Sequence, residues 1–407
     1  MECDKCGADA IHHAAYSGAH LCGEHLRRSV EKRVKRRVRE DGLLDPDATP
    51  DDPDRWVIGL SGGKDSVALT QILDDVFGTD PRVEMLALTI HEGIEGYRDA
   101  SLDACVELAA DLSLRHEVVS YEEEFGVQMD DVVESDPENM AACAYCGVFR
   151  RDLLETYAAE FDADKLLTGH NLDDEAQTAM MNFLEGDVRQ VAKHFDASLG
   201  PFDERAGTEE FVPRAKPLRD VPEKEIALYC HVRDLPTHMA ECPHAEEAYR
   251  GEIQSTIHEL EENHPGARHS IMAGYEELSA LAAEAYRGGG KSNDGERDAD
   301  DGTAAESSPD LVECERCGSK TSRDVCRKCR LLASIEAATC SPVVRPHRSP
   351  HPPLTSPTTH PAYRSPRLPL TSPTTHPAYR SPTAHLTHCP RHASPSTRPS
   401  RSSWCVR

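Results

Sequence analysis

Residues 55–73 read Arg-Trp-Val-Ile-Gly-Leu-Ser-Gly-Gly-Lys-Asp-Ser-Val-Ala-Leu-Thr-Gln-Ile-Leu, and this stretch decides the fold. Residues 55–60 are a short, mostly apolar run that predicts a buried strand, and residues 67–73 predict a helix. Between them lie Ser61, Gly62, Gly63, Lys64, Asp65 and Ser66. A glycine-rich turn from a strand into a helix N-terminus is an anion site. The glycines let the backbone approach, free N–H groups point at the ligand, and the helix dipole favours negative charge. Lys64 and the two serines add donors. The turn is not a Walker A loop, because G-x-x-x-x-G-K-[ST] is absent.

Working outward, strand and helix patterns alternate. Strands are expected at 83–90, 115–120 and 165–168, and helices at 99–112, 143–160 and 173–185. This alternation predicts an α/β fold, a parallel sheet with helices on both faces. Ligands of such folds bind at the carboxyl ends of the strands. The Ser61–Ser66 turn lies there, and so does the turn Gly169-His170-Asn171-Leu172-Asp173-Asp174. Residues 214–219 read as extended, Pro222 opens a helix, and 245–262 suits another.

Composition limits the remaining possibilities. Among 407 residues no run of 18 apolar residues occurs and the N-terminus lacks a signal-peptide pattern, so a cytoplasmic protein without membrane association is expected. The net charge is −27, yet residues 341–407 hold nine Arg and no acidic residue. Residues 1–340 therefore carry 36 basic against 72 acidic side chains, the kind of excess tolerated where high salt screens self-repulsion.

Fifteen cysteines in such a chain point to metal or redox chemistry rather than to disulfides. Cys3-x-x-Cys6 and Cys22-x-x-His25 have the pair spacing of a tetrahedral zinc site, as have Cys314-x-x-Cys317 and Cys326-x-x-Cys329. Cys105 and Cys230 have no paired spacing and read as buried small hydrophobes. Residues 27–39 form a basic helical pattern with Val30, Val34 and Val38 four apart. Arg27, Arg28, Lys32, Arg33, Lys35, Arg36 and Arg37 are the expected RNA-backbone contacts, and a solvated helix face is the alternative. The expected organisation is a zinc finger at 1–26, a basic helix and linker at 27–54, and a nucleotide-binding domain at 55–285. An acidic linker at 286–312, a zinc ribbon at 313–335 and a Pro/Ser/Thr/Arg-rich tail at 336–407 follow. The tail repeats LTSPTTHPAYRSP at 354–366 and 370–382, and a frameshifted or read-through terminus explains it better than an RNA-binding arm does.

Four further segments complete the pattern: HEGIEGYRD (91–99), CAYCGVFRR (143–151), TGHNLDDEAQT (168–178) and ECPHAEEAYRG (241–251). SGGKDS resembles the PP-loop of ATP pyrophosphatases. With the flanking cysteine clusters, the whole of about residues 1–335 resembles the TtuA-like tRNA 2-thiolation enzymes, in a halophilic archaeal form. The resemblance implies that ATP adenylates the C2 oxygen of a tRNA uridine and a sulfur donor then displaces AMP. It implies that Ser61–Ser66 hold the phosphates with Gly169 and His170 nearby, that Lys64 and Asp65 take part in catalysis, and that Asp173 and Asp174 reach Mg²⁺ or the nucleotide. Helix capping is a compatible role for the two aspartates. Cys143, Cys146 and Cys242 match the family's three active-site cysteines. A [4Fe-4S] cluster with one open iron, a persulfide on Cys143 or Cys242, and a zinc site all remain open for that trio. The acidic linker and the tail depart from the family pattern.

By the same resemblance the partners are tRNA, a ubiquitin-like sulfur carrier or sulfide, and a second copy of the chain. A PP-loop ligase with an amine nucleophile would need no cysteine trio. A non-catalytic zinc-ribbon adaptor would need no intact phosphate turn.

Overall fold

The computed structural model describes residues 1–193, 211–244, 249–288 and 312–339, all within a unit spanning Met1–Thr355. The tail, and most of the stretch read as linker, lie outside the described residues. The chain opens with an antiparallel ribbon, β1 (His12–Ala14) and β2 (Ala19–Leu21), and then α1 (Gly23–Glu40). There follow β3 (Asp54–Gly59), α2 (Lys64–Phe77), β4 (Val83–His91), α3 (Tyr97–Asp111), β5 (Arg115–Ser120), α4 (Tyr121–Phe125), α5 (Met129–Ser135) and α6 (Ala142–Glu160). Next come β6 (Lys165–Leu167), α7 (Leu172–Leu184), α8 (Val188–Lys193), β7 (Arg214–Ala215), α9 (Glu223–Arg233), α10 (Tyr249–Asn263) and α11 (Ala267–Gly288). A second ribbon, β8 (Val312–Glu313) and β9 (Lys320–Thr321), leads into α12 (Arg327–Thr339). Helix α11 thus enters the stretch read as linker by three residues, Tyr286, Arg287 and Gly288.

The main sheet has the order β5-β4-β3-β6-β7 with every pair parallel. The extended stretch at 214–215 is its last strand. Side chains alternate across the pleat, which gives the sheet two apolar faces. Trp56, Ile58, Met85 and Leu167 pack with α2 and α9 on one face. Val57, Leu86, Leu88, Ile90 and Leu166 pack with α6 on the other. Strand order reverses between β3 and β6, so the turns that leave these two strands flank the crevice where α/β folds bind ligands.

The terminal modules dock by different means. Helix α1 buries Leu26, Val30, Val34 and Val38 at successive i, i+4 positions, the stripe expected from sequence. Its basic face is not uniformly free. Arg27 pairs with Glu24 and Glu31, and Arg37 reaches Asp220 at 2.7 Å and Asp41 at 3.3 Å. Arg33 is ion-paired to Glu225 of α9, which also accepts from Tyr16 (2.8 Å) and faces His12 Nε2 (3.5 Å). Arg33 and Arg37 are thus each engaged by a carboxylate nearly two hundred residues away in sequence, Glu225 and Asp220. Lys32 and Lys35 stay exposed on the outer face. At the other end, α12 inserts Leu331 and Ile335 into the α6 side of the core, and Lys328 pairs with Asp152 at 2.8 Å.

Glu225 is 1% exposed. Burial alone would raise its pKa, but His12, Arg33 and Tyr16 outweigh that and bring it to about 2. A depressed carboxylate stabilises the fold above its unfolded value and loses this contribution as pH falls through the folded value. From the ordinary 4.5 to about 2 the contribution is about 3 kcal/mol. Glu225→Gln is expected to lower unfolding free energy at neutral pH by about 3 kcal/mol, because the half-buried Arg33 loses its carboxylate partner. In urea titrations between pH 6 and 2 the variant should also show a flatter acid slope than wild type.

Candidate active site

The phosphate turn is built by the way β3 hands over to α2. Gly62 has φ +81°, and a Cβ on it would stand 2.2 Å from the Ser101 carbonyl oxygen, so only glycine fits this close approach. Gly63 is the N-cap of α2 and has no capping side chain, which leaves the first N–H groups of the helix available to an anion. Ser61 N–H donates to Ser66 Oγ at 3.0 Å, the two hydroxyls lie 3.0 Å apart, and Ser66 Oγ donates to Gly63 O at 3.0 Å.

Lys64 Nζ lies 2.9 Å from Asp65 Oδ2 and 2.8 Å from Glu223 Oε1. Burial works against its charge, but these carboxylates raise its pKa, so it is a fixed cation. Asp65 is raised by burial, against Lys64 and Asn171.

The second turn touches the first. A Cβ on Gly169 would meet Asp65 C and Ser66 N, both at 2.9 Å. Asn171 caps α7 by accepting from Asp173 and Asp174 N–H, and Asp174 Oδ2 returns the bond to Asn171 N–H, closing a capping box. Asn171 Nδ2 also donates to Asp65 Oδ1 at 3.0 Å. Asp174 is thus gathered toward Asp65 while Asp173 is turned away. Asp173 Oδ2 accepts from Glu223 N–H at 2.8 Å, and Oδ1 is ion-paired with Arg268 at 2.9 Å. His170, at an exposed position, shares a 2.8 Å bond with Thr168, and crowding by its surroundings, reinforced by Lys216, lowers its pKa.

The cysteines read from sequence fall into two kinds. Cys3, Cys6, Cys22 and His25, and likewise Cys314, Cys317, Cys326 and Cys329, bring all four ligand atoms within 4.8 Å of one another. Cys6 and Cys22 sulfurs are 3.8 Å apart, Cys22 Sγ to His25 Nδ1 is 3.3 Å, and Cys317 to Cys326 is 3.6 Å. Those are the edges of a tetrahedron around an ion with bonds of roughly 2.0–2.3 Å, the size zinc takes. Cys143, Cys146 and Cys242 are not gathered that tightly, yet they share one region. Burial raises Cys242, and the charges of Cys146 and Cys143 raise it further, against a His244 N–H. Three cysteine thiolates are a donor set that an iron–sulfur cluster accepts. Cys105 and Cys230 are buried, as expected.

Three polar side chains at the site carry no clear mark in the sequence. Arg98 donates to Ser61 O at 2.9 Å, Glu92 is buried beside it, and Arg150 reaches Cys146 Sγ at 3.3 Å. They lie inside the segments 91–99 and 143–151, but neither charge nor spacing separates them from surface residues. Asn171 is different: N-x-x-D before an apolar run is a legible capping signal. Residues 245–248 of the segment 241–251 lie outside the described residues.

A capless Ser-Gly-Gly turn on a five-stranded parallel sheet, touching a second turn across the strand-order reversal, defines a PP-loop nucleotide-binding domain. A family model for that domain matches residues 27–253, and one for the N-terminal LIM domain of 2-thiouridine synthetase TtuA matches residues 2–27. The chain is 70% identical over 337 residues to the tRNA 2-thiolation protein NcsA of Haloferax volcanii, covering 83% of this chain and 100% of that one. It is 30% identical to a probable sulfurtransferase of Methanocaldococcus jannaschii, over 82% of this chain and 87% of that protein. Among solved structures it is similar to the U34-tRNA thiolase NcsA from Methanococcus maripaludis with its [4Fe-4S] cluster, at 31% identity, TM-score 0.62, and coverage of 81% and 95%. The chain belongs to the tRNA 2-thiolation protein family of PP-loop enzymes. Among the described residues no helix is long and apolar enough to cross a membrane.

Gly62→Ala is expected to cost about 2 kcal/mol or more, from positive-φ strain and the collision with Ser101. Thermal unfolding should report that loss, and equilibrium dialysis with radiolabelled ATP should show binding weakened by more than tenfold. Gly7→Ala, at a similar φ of +73° but with open space around its Cβ, should leave ATP binding intact.

Proposed function

We propose that this chain replaces the C2 oxygen of a tRNA uridine with sulfur, using ATP, and that the phosphate turn and the cysteine trio divide the two halves of the reaction. The observation that carries this reading is their placement: both sit at the carboxyl end of the sheet, joined by the Ser61–Arg98 and Arg150–Cys146 contacts. In the first half, the uridine C2 oxygen attacks the α-phosphate of ATP, the bond to pyrophosphate breaks, and the oxygen becomes part of an AMP leaving group, a transfer that needs charge neutralisation at the phosphates. The N–H groups of Lys64 and Asp65 and the hydroxyl of Ser61 bind the phosphates, Ser66 braces the turn through Ser61 and Gly63, and Lys64 neutralises the charge. Asp65 and Asp174 supply carboxylates suited to Mg²⁺. Asp173 instead holds α9 to α7.

In the second half, Cys143, Cys146 and Cys242 would hold a [4Fe-4S] cluster, which when bound supplies an iron without a protein ligand for exogenous sulfide. Cys242 sits on a segment fixed at both ends: His238 N–H donates to Gly62 O at 2.8 Å and His244 pairs with Asp130 at 2.7 Å. Sulfur would come from sulfide or from a ubiquitin-like carrier. The four-ligand groups at the two ends suit structural zinc. Arg28, Lys32, Lys35 and Arg36 remain as exposed tRNA contacts on α1, a homodimer is the expected assembly, and the cytoplasm is the expected location.

Anaerobic purification at high salt, followed by iron, acid-labile sulfide and zinc analysis, tests the cluster reading. About four Fe and four sulfides per chain are expected, lost in Cys143→Ala beside two retained Zn. The same variant should keep tRNA-dependent ATP–pyrophosphate exchange and lose 2-thiouridine in digested tRNA. Zinc alone in wild type would replace the cluster by a persulfide route. Exchange without thiolation by wild type supplied with sulfide would point to a ligase instead. Lys32→Ala with Lys35→Ala should reduce the slope of log K for tRNA against log salt by roughly one per lysine.

A further inference from the structure

Glu92 follows β4 and is 1% exposed. Its two carboxylate oxygens face different guanidinium groups. Oε2 lies 2.6 Å from Arg98 Nε, and Oε1 accepts from Arg150 Nη2 at 2.7 Å. The Arg98 contact is an ion pair rather than a hydrogen bond, because Arg98 Nε aims its N–H at Ile90 O at 2.8 Å. The backbone at Glu92 is fixed as well, since its carbonyl accepts from Met129 N–H at 2.9 Å.

Each arginine continues outward to one half of the site. Arg98, itself buried, donates from Nη1 to Ser61 O at 2.9 Å and to Ser101 Oγ at 3.1 Å. Arg150 is half-exposed on α6 and reaches Cys146 Sγ at 3.3 Å. The phenol of the buried Tyr121 donates to Cys146 O at 2.9 Å and so holds the same turn of helix. A continuous polar path therefore runs from Ser61 through Arg98, Glu92 and Arg150 to Cys146, and Glu92 is its centre.

We propose that Glu92 is a positioning residue that couples occupancy of the phosphate turn to the arrangement of the cysteine-bearing end of α6. The proposal rests on the thiolation reading above and adds to it a link between its two halves. A single buried carboxylate can satisfy two cations at once only while both stay in place. When the Ser61–Ser66 turn closes on phosphates, any shift of the Ser61 carbonyl moves Arg98, and the shared carboxylate passes the shift to Arg150. Glutamine has the same shape but one acceptor oxygen. Its amide N–H groups would face one of the two guanidinium groups, so it cannot serve both.

The test is hydrogen–deuterium exchange of the full chain with and without ATP and Mg²⁺, read in peptides covering 61–69 and 142–150. In wild type, ATP should slow exchange at 61–69 and change it at 142–150 by at least about fivefold, the lower end of ordinary coupling between sites. In Glu92→Gln the effect at 61–69 should persist and that at 142–150 should fall below roughly twofold. Arg150→Met, at a half-exposed position, should give the same result if the glutamine variant does not fold. Protection at 61–69 in wild type with no change at 142–150 would overturn the coupling alone. So would retention of the 142–150 response in both variants. No protection at 61–69 would remove the ATP reading and the coupling together.

Discussion

The closest constraint in this molecule is the approach of the Gly62 backbone to the Ser101 carbonyl, where no side chain can be placed. That approach seats the phosphate turn against α3 and brings Ser61 O within reach of Arg98. The next carbonyl, Gly62 O, is held by His238 N–H from the segment that carries Cys242. Two successive carbonyls of one turn are thus tied toward two separate cysteine segments. The turn that offers its backbone to an anion is also tied through its carbonyls to the surroundings of both cysteine segments.

Helix α9 plays a comparable part on the other face of the sheet. Its first residue, Glu223, gives its N–H to Asp173 and its carboxylate to Lys64. Two residues on, Glu225 grips Tyr16, His12 and Arg33 of the N-terminal module. The four-ligand N-terminal module is therefore anchored to the same helix that pairs with Lys64 of the phosphate turn. The C-terminal module is seated with similar economy through Leu331, Ile335 and Lys328 on the side of α6.

Much of the sheet was legible because its strands are buried on both faces, and a run such as residues 83–90 has no other good reading. The strand–turn–helix at 55–73 and the paired cysteines were legible because their chemistry is local. What stayed hidden depends on distant partners. Arg33 and Arg37 look like free cations until α9 and Asp220 are folded against α1. Asp173 looks like a metal ligand until Arg268 and the start of α9 are placed beside it. Glu92 and Arg98 could not be told from solvent-facing charges, since burial of a charge leaves no periodic trace. The short helices α4 and α5 are below the length at which a pattern can be read, and the extended reading of 214–219 did not show that two of its residues pair with β6.

The two rims of the sheet are unlike its centre. β7 is only two residues long and is followed within two positions by Pro217, and β5 sets Arg115 and Glu117 on alternate positions of its outer rim. A two-residue rim and a rim carrying charge are poor templates for a foreign strand. At high protein concentration, such rims disfavour edge-to-edge aggregation of a sheet that is otherwise rich in apolar β-formers.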